Sequence, residues 1–311
     1  MVGTGVREAI VGDRRITGLT PEVIAAIAAE IGPVWEQQRV DRLVSRPRSR
    51  TVGAGAKYRL VFMDRLLVTL VNLRHAVTHD VLACWFGVDR STVTRAIAEI
   101  RPLLAMRGCS IAPGVRLRTL TEVVDHLGAT GQTAIVDGTE IRVRRPAEGS
   151  PNRDRFVSGK TKQNAVKTMV ITDAEGRVLF CSPAEPGSRA DITHARQLGL
   201  PDLLAAQSDT TVLADAGYQG LGTESGGRVV TPPHRKFKKH PPAWYETLLA
   251  EKRHAHSSRR IRVEHGIAHL KNWRSLARHH GRREHMSDII GAVAGLLSHQ
   301  QTAAQPSGYS I

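Results

Sequence analysis

The chain has 311 residues, room for about two domains of ordinary size. A hydrophobic share of 41% against 23% charged residues excludes wholesale disorder, and 44 basic residues against 29 acidic leave a net charge of +15. That excess favours a polyanionic partner, nucleic acid before a membrane surface. The longest apolar run, Ile289 to Leu297, falls short of the roughly 20 residues a bilayer crossing needs. Cys84, Cys109 and Cys181 are scattered, with neither a disulfide framework nor a CxxC zinc pattern, and MVGTGVREAI carries no secretory pattern. The expectation is a soluble, intracellular, basic protein with no membrane partner.

The first expected unit, residues 1–58, is a helical region ending in a basic linker, SRPRSRTVGAGAKY (Ser45 to Tyr58). Residues 59–130 read as a helix-turn-helix domain. Leu60 to Arg74 has the spacing of an amphipathic helix, and Thr78 is a plausible N-cap for a second helix, Asp80 to Phe86. Gly87 ends that helix, and Ser91 to Ile100 forms the next. In a helix-turn-helix the second helix enters the major groove through its N-terminal residues. Ser91, Thr92, Thr94 and Arg95 would then face DNA, with Val93, Ile97 and Ile100 packed inward; an ordinary helical hairpin has the same punctuation. RGCSIAPGVR (Arg107 to Arg116) reads as a Gly/Pro loop, RTLTEVVDHL as a short helix, and the domain boundary falls near residue 130.

Residues 131–283 change character, with β-branched runs bounded by Gly and Pro. GQTAIVDGTEIRV and DTTVLADAGYQG each read as a buried strand delivering an aspartate, Asp137 or Asp215, at its C-terminal end, where α/β sheets place their sites. Asp-Gly after a strand is also a routine turn. AVKTMVITDAEGRVLFCSP reads as a hairpin turning at Asp173 to Gly176, and PGSRADITHARQLGL opens a helix near Ser188 or Asp191. RVVTPP is a fifth strand. Antiparallel strands followed by a βα alternation is the order of an RNase H-like α/β fold with a mixed five-stranded sheet, an order that other α/β folds share in part.

The charge excess is local. Residues 234–283 carry 14 basic and 3 acidic side chains, while residues 131–233 carry 12 of each. Within the basic stretch a long helix, SSRRIRVEHGIAHLKNW, spaces Arg260, Glu264 and Lys271 by four and seven residues. At about 100° per residue they share one face, within roughly 60° of arc. A carboxylate between two cations suits a metal ligand flanked by phosphate holders; an i,i+4 pair between Arg260 and Glu264 is the simpler reading. Asp137, Asp215 and Glu264 would suit two Mg²⁺ ions, which prefer carboxylate oxygens and support phosphoryl transfer. Zinc is a poorer match, since HGIAH (His265, His269) lacks the Glu of HExxH. Residues 284–311 form a C-terminal helix and tail.

With VDGTE around Asp137, PGSRAD, LADAGYQG around Asp215 and RRIRVEHGIAHLK around Glu264, the sequence resembles the DDE transposases of bacterial insertion sequences. It is most similar to the IS-five-like group, whose endonuclease domain follows a helix-turn-helix. The resemblance runs from about Leu60 to Leu276 and includes the Arg, three residues, Glu, six residues, Lys signature at Arg260, Glu264 and Lys271. Ser257 stands where that pattern often has a Tyr. The resemblance implies Asp137, Asp215 and Glu264 as a catalytic triad holding two Mg²⁺ ions, with Mn²⁺ as a substitute. It also implies terminal inverted repeats and target DNA as partners, and a homodimer or higher assembly on paired ends. A cytoplasmic, nucleoid-associated bacterial protein follows. Asp191 is held as a reserve group, a helix N-cap or a support for the metal ligands.

Overall fold

The computed structural model describes residues 4–45, 59–149, 153–207, 209–235 and 241–305. Residues 46–58, nearly all of the expected basic linker, and the lysine-rich residues 236–240 lie outside the described residues. The chain opens with helices α1 (Thr4–Gly12), α2 (Arg14–Thr17), α3 (Pro21–Val44), α4 (Phe62–His75), α5 (His79–Phe86) and α6 (Arg90–Ala105). The sequence predicts an amphipathic helix over Leu60 to Arg74; α4 forms over Phe62–His75, and within it Asp64 to Val71 are all buried. Packing of α1, α2, α3 and α6 around α4 covers this stretch on every side. Its buried charges are matched: Arg7 donates to both Asp64 oxygens at 2.6 and 2.9 Å, and Arg65 Nη1 donates to Glu99 Oε2 at 2.8 Å.

The helix-turn-helix forms as expected. Thr78 Oγ1 caps α5, and Gly87 closes it in the left-handed conformation, φ 61°. α6 runs past the expected end at Ile100 to Ala105, because Leu103 and Leu104 are drawn into the core. Where a loop is predicted, β1 (Cys109–Ala112) and β2 (Val115–Leu117) pair as an antiparallel hairpin. Gly114, at φ 76°, lies in its turn. α7 (Leu120–Thr130) follows, opened by the reciprocal capping of Thr119 and Glu122.

Then come β3 (Thr133–Arg142), β4 (Ala165–Asp173), β5 (Val178–Cys181), β6 (Glu185–Pro186), α8 (Asp191–Gln197), α9 (Leu200–Ala205), β7 (Thr211–Leu213), α10 (Leu221–Glu224) and β8 (Val229–Val230). The chain closes with α11 (Ala243–Lys271), α12 (Arg274–Ala277) and α13 (Met286–Ala303). The sheet order is β5-β4-β3-β7-β8, antiparallel from β5 to β3 and parallel from β3 to β8. This is the mixed RNase H-like order, with the two-residue β6 as a sixth strand paired to β4 beside the five expected.

Alternation along the strands divides the core. Ala134 and Val136 of β3, with Met169 and Ile171 of β4, face α7, α8 and α9. Ile141, Val166 and Val170 face the other way, toward the helical region and α13. Two features of the packing depart from the predicted boundaries. Val123, Val124 and Leu127 of α7 join the sheet's core, although the predicted boundary near 130 puts that helix with the helix-turn-helix. α13 packs along α6, β1 and β5, tying the C-terminal segment into the helical core. Both follow from apolar faces that have no partner within their own segment. Among the described residues no helix is long and apolar enough to cross a membrane.

Candidate active site

The parallel pair β3–β7 sets the geometry. Ile135 pairs with Leu213, so Asp137 and Asp215 each stand two residues further along neighbouring chains. Period-two alternation then puts both aspartates on the face where Ile135 and Leu213 pack against Val263 of α11. Asp215 follows the end of β7, as predicted, and its Oδ1 accepts from the Gly217 backbone N–H at 2.8 Å. Asp137 is different: it sits in the middle of β3, which continues to Arg142 beside β4. What ends near Asp137 is the pairing with β7, whose last registered pair is Ile135 with Leu213.

Gly138 is therefore a strand residue and not a turn. A Cβ there would lie 2.4 Å from Asp191 Oδ1, so the missing side chain makes room for a third carboxylate. Asp191 is the first residue of α8, and Lys167 Nζ on β4 holds its Oδ1 at 3.1 Å. Lys167 also donates to the Arg189 carbonyl at 2.9 Å. Glu140, two residues along β3, accepts from Ser158 and Thr161 at 2.7 and 3.0 Å. Burial, then the negative charges of Asp215 and Asp191, push the Asp137 carboxyl up to about 6 against the opposing pull of Arg260. Tyr218 is buried beneath the same carboxylates, and burial with their charges pushes its hydroxyl well up.

α11 crosses this face and is pinned at both aspartate-bearing segments. His256 Nε2 lies 2.8 Å from the Ala214 carbonyl oxygen, and one turn later Arg260 Nη2 bonds Asp137 Oδ2 at 3.1 Å. Arg260 thus turns to the strand, and the i,i+4 pair with Glu264 is not what it makes. Its Nε is buried without an acceptor. Glu264 stands exposed one turn beyond, next to the buried Val263. Burial lowers the Lys271 pKa, and the negative charges of Glu140 and Asp137 oppose that shift. In the recognition helix Ser91, Thr94 and Arg95 are exposed, Thr92 is half-buried, and Val93, Ile97 and Ile100 are buried.

The donor set fits a hard divalent cation in part. Asp137 and Asp215 offer only oxygens, and Asp137 carries negative neighbours that its one arginine does not offset. Among the described residues no three His, Cys, Asp or Glu side chains stand close enough to hold one ion, and Glu264 is not brought against the two aspartates. His265 and His269 are exposed. Sequence reasoning missed His256, Lys167 and Tyr218. Tyr218 lies in the quoted motif LADAGYQG and Lys167 in the quoted hairpin AVKTMVITDAEGRVLFCSP, but nothing local marks Lys167 or His256 as part of a site.

The sequence pattern of the DDE superfamily endonucleases matches residues 136–298. The chain belongs to that family. A second pattern, the helix-turn-helix of DDE superfamily endonucleases, matches residues 58–110. Enzymes of this superfamily depend on divalent metal ions. A protein of Streptomyces albus G assigned as the transposase for insertion sequence element IS112 is 28% identical over 239 residues, covering 75% of this chain and 78% of its own. Among solved structures, the Mos1 transposase paired-end complex with left transposon end aligns over 84% of this chain and 87% of its own, at 11% identity and a TM-score of 0.19. The mariner Mos1 paired end complex with Mg aligns over 78% and 85%, at 15% identity and a TM-score of 0.20. At such scores the whole chains do not superpose.

Proposed function

We propose that this family member is the DNA transposase of an insertion sequence, in the IS-five-like group. It hydrolyses the phosphodiester at the element's end, and the freed 3′-hydroxyl then attacks a phosphodiester of target DNA, joining to its phosphorus as the target's own 3′-hydroxyl leaves. One observation carries the reading: Asp137 and Asp215 stand in register on the face that α11 crosses with Arg260 and Glu264. The relative assigned to an insertion sequence supports transposition in particular.

Asp137, Asp215 and Glu264 would hold two divalent ions, Mg²⁺ or Mn²⁺, with Glu264 swinging inward from its exposed position. Such ions activate an attacking water or hydroxyl and neutralise the leaving oxygen. Arg260 and Lys271 hold phosphates on either side of Glu264, and Arg260 exchanges Asp137 for a phosphate when DNA and metal arrive. Asp191, held by Lys167, fixes the β3 backbone at Gly138 from behind. Ser91, Thr92, Thr94 and Arg95 contact the terminal inverted repeats, in a homodimer or higher assembly on paired ends.

The deciding experiment incubates the purified protein with a labelled duplex of its own element's end and a target plasmid, in Mg²⁺, Mn²⁺ or EDTA. Metal-dependent products joined into the plasmid, lost in Asp215→Asn, are the expected result. Cleavage without joining would identify a nuclease. Tight binding with no product in any metal would identify a DNA-binding regulator.

A further inference from the structure

Between α2, the C-terminal end of α11 and α13 lies a cavity of about 350 Å³, whose lining includes neither Asp137 nor Asp215 nor any residue of the recognition helix. Arg14, Arg15, Arg74, His269 and Gln300 line it, and no carboxylate does. Asp13, just outside, engages Arg15 alone, at 2.7 to 3.0 Å. Arg14 is exposed, and its side chain makes no hydrogen bond or ion pair among the described residues.

The cavity wall is pre-built. The Arg74 guanidinium sits 5.6 Å from the centroid of the buried Trp273 ring and donates through Nη1 to the Asn272 carbonyl at 3.0 Å. No acceptor among the described residues uses its Nε or Nη2. Gly18, at φ 79°, lets the backbone pass where a Cβ would lie 3.2 Å from both Arg74 Cδ and Trp273 Cζ2. Gln300 is only 4% exposed. Its Oε1 accepts from the Thr20 N–H at 2.8 Å, leaving its NH₂ group without an acceptor among the described residues. Burial and the charge of Arg14 both lower the Arg74 pKa, as two cations held together without an anion require.

We infer that this cavity binds a backbone phosphate of DNA, as a third contact besides the recognition helix and the catalytic face. Cationic forks and an amide donor converge there, and such groups are matched by a phosphodiester's oxygens. The volume is that of a small-ligand site, room for the phosphate with part of its sugar. His269 follows Glu264 by five residues, about 7.5 Å along the α11 axis and about 140° around it, so the cavity takes a phosphate on the flank of a duplex engaged at the catalytic face, away from the reacting end. The inference rests on the reading of the protein as a DNA-acting enzyme.

The test compares wild type with Arg14→Ala/His269→Ala, which leaves the Arg74–Trp273 stack in place. Binding to the element's end is measured across salt concentrations, and on duplexes carrying one neutral methylphosphonate at each position in turn. Loss of a phosphate contact should flatten the log–log salt dependence by about 0.9. One methylphosphonate position that weakens wild type should leave the variant unaffected. An unchanged slope, with every position penalised alike in both proteins, overturns the inference while wild-type cleavage leaves the proposed function standing. Inorganic phosphate raising the Tm of wild type but not the variant, with no silenced position, overturns DNA as the source of the phosphate. Wild type failing to bind any duplex overturns both readings.

Discussion

Arg260 Nη2 lies 3.1 Å from Asp137 Oδ2, joining residues 123 positions apart in the chain. Without metal, this guanidinium is the nearest counter-charge to a strand aspartate crowded by Asp215 and Asp191. It does not fully compensate, since the Asp137 carboxyl still rises to about 6. Burial of the carboxylate is thus only partly offset by Arg260, which has a direct consequence for stability.

An unfolded Asp titrates near 3.9, so between about pH 4 and 6 the folded chain holds a proton at Asp137 that the unfolded chain has lost. Metal-free stability should fall as pH rises through that window and level off above it, by at most about 3 kcal/mol. Asp137→Asn should flatten the profile. Added Mg²⁺ or Mn²⁺ should raise the Tm of wild type at pH 7.5 and not that of the variant. Thermal melts from pH 4 to 8, with and without metal, measure all of this; a wild-type profile unchanged by Asp137→Asn would contradict it.

Asp215→Asn and Glu264→Gln should each abolish metal-dependent cleavage and leave duplex affinity within about 2-fold, since neither carboxylate contacts DNA by charge attraction. Paired cleavage and binding assays check the split. Retained cleavage in Glu264→Gln would remove that exposed residue from the metal site.

Gly138→Ala places a methyl 2.4 Å from Asp191 Oδ1. Asp191 is held by Lys167 and begins α8, so it has little freedom to retreat. The expected outcome is a folded protein with at least about 10-fold slower cleavage, because misplacement by about 1 Å is costly at a reacting centre. Unchanged single-turnover cleavage would show that Asp191 and Asp137 tolerate separation.

His256→Ala removes the side chain at the Ala214 carbonyl and should destabilise by about 1–3 kcal/mol. Cleavage should fall along with stability, because the same bond aligns α11 with Asp215. Denaturant unfolding and single-turnover kinetics on one preparation test whether the two losses travel together.

Arg95 is exposed on the recognition helix, with Nη2 3.3 Å from Thr92 Oγ1. Arg95→Ala should weaken binding to the element's end by about 1–3 kcal/mol if it reads a base, leaving metal-dependent cutting of unrelated DNA intact. Equal weakening on specific and unrelated duplexes would reassign it to the backbone.

Much of the fold is local and was legible. Thr78 and Gly87 bracket α5 by cap chemistry, and Asp173 to Gly176 turns the β4–β5 hairpin as its composition predicts. Asp137, Asp215, Arg260, Glu264 and Lys271 were all marked by motif and spacing. The β1–β2 hairpin reads as a loop in sequence because its strands are short and its Gly and Pro dominate the local signal.

The sequence by itself determined the helix-turn-helix, the strand order, the basic C-terminal stretch and the residue types that carry the chemistry. These depend on periodicity, capping and charge, which act over a few residues. Only the tertiary structure decided that Asp137 lies mid-strand, that Arg260 turns to Asp137 and not to Glu264, and that Asp191 fills the gap at Gly138. It also decided that α7 joins the sheet and α13 the helical core. Each of these is a contact between segments far apart in the chain. Strand register and the burial of apolar faces settle such contacts together, and no single segment encodes them.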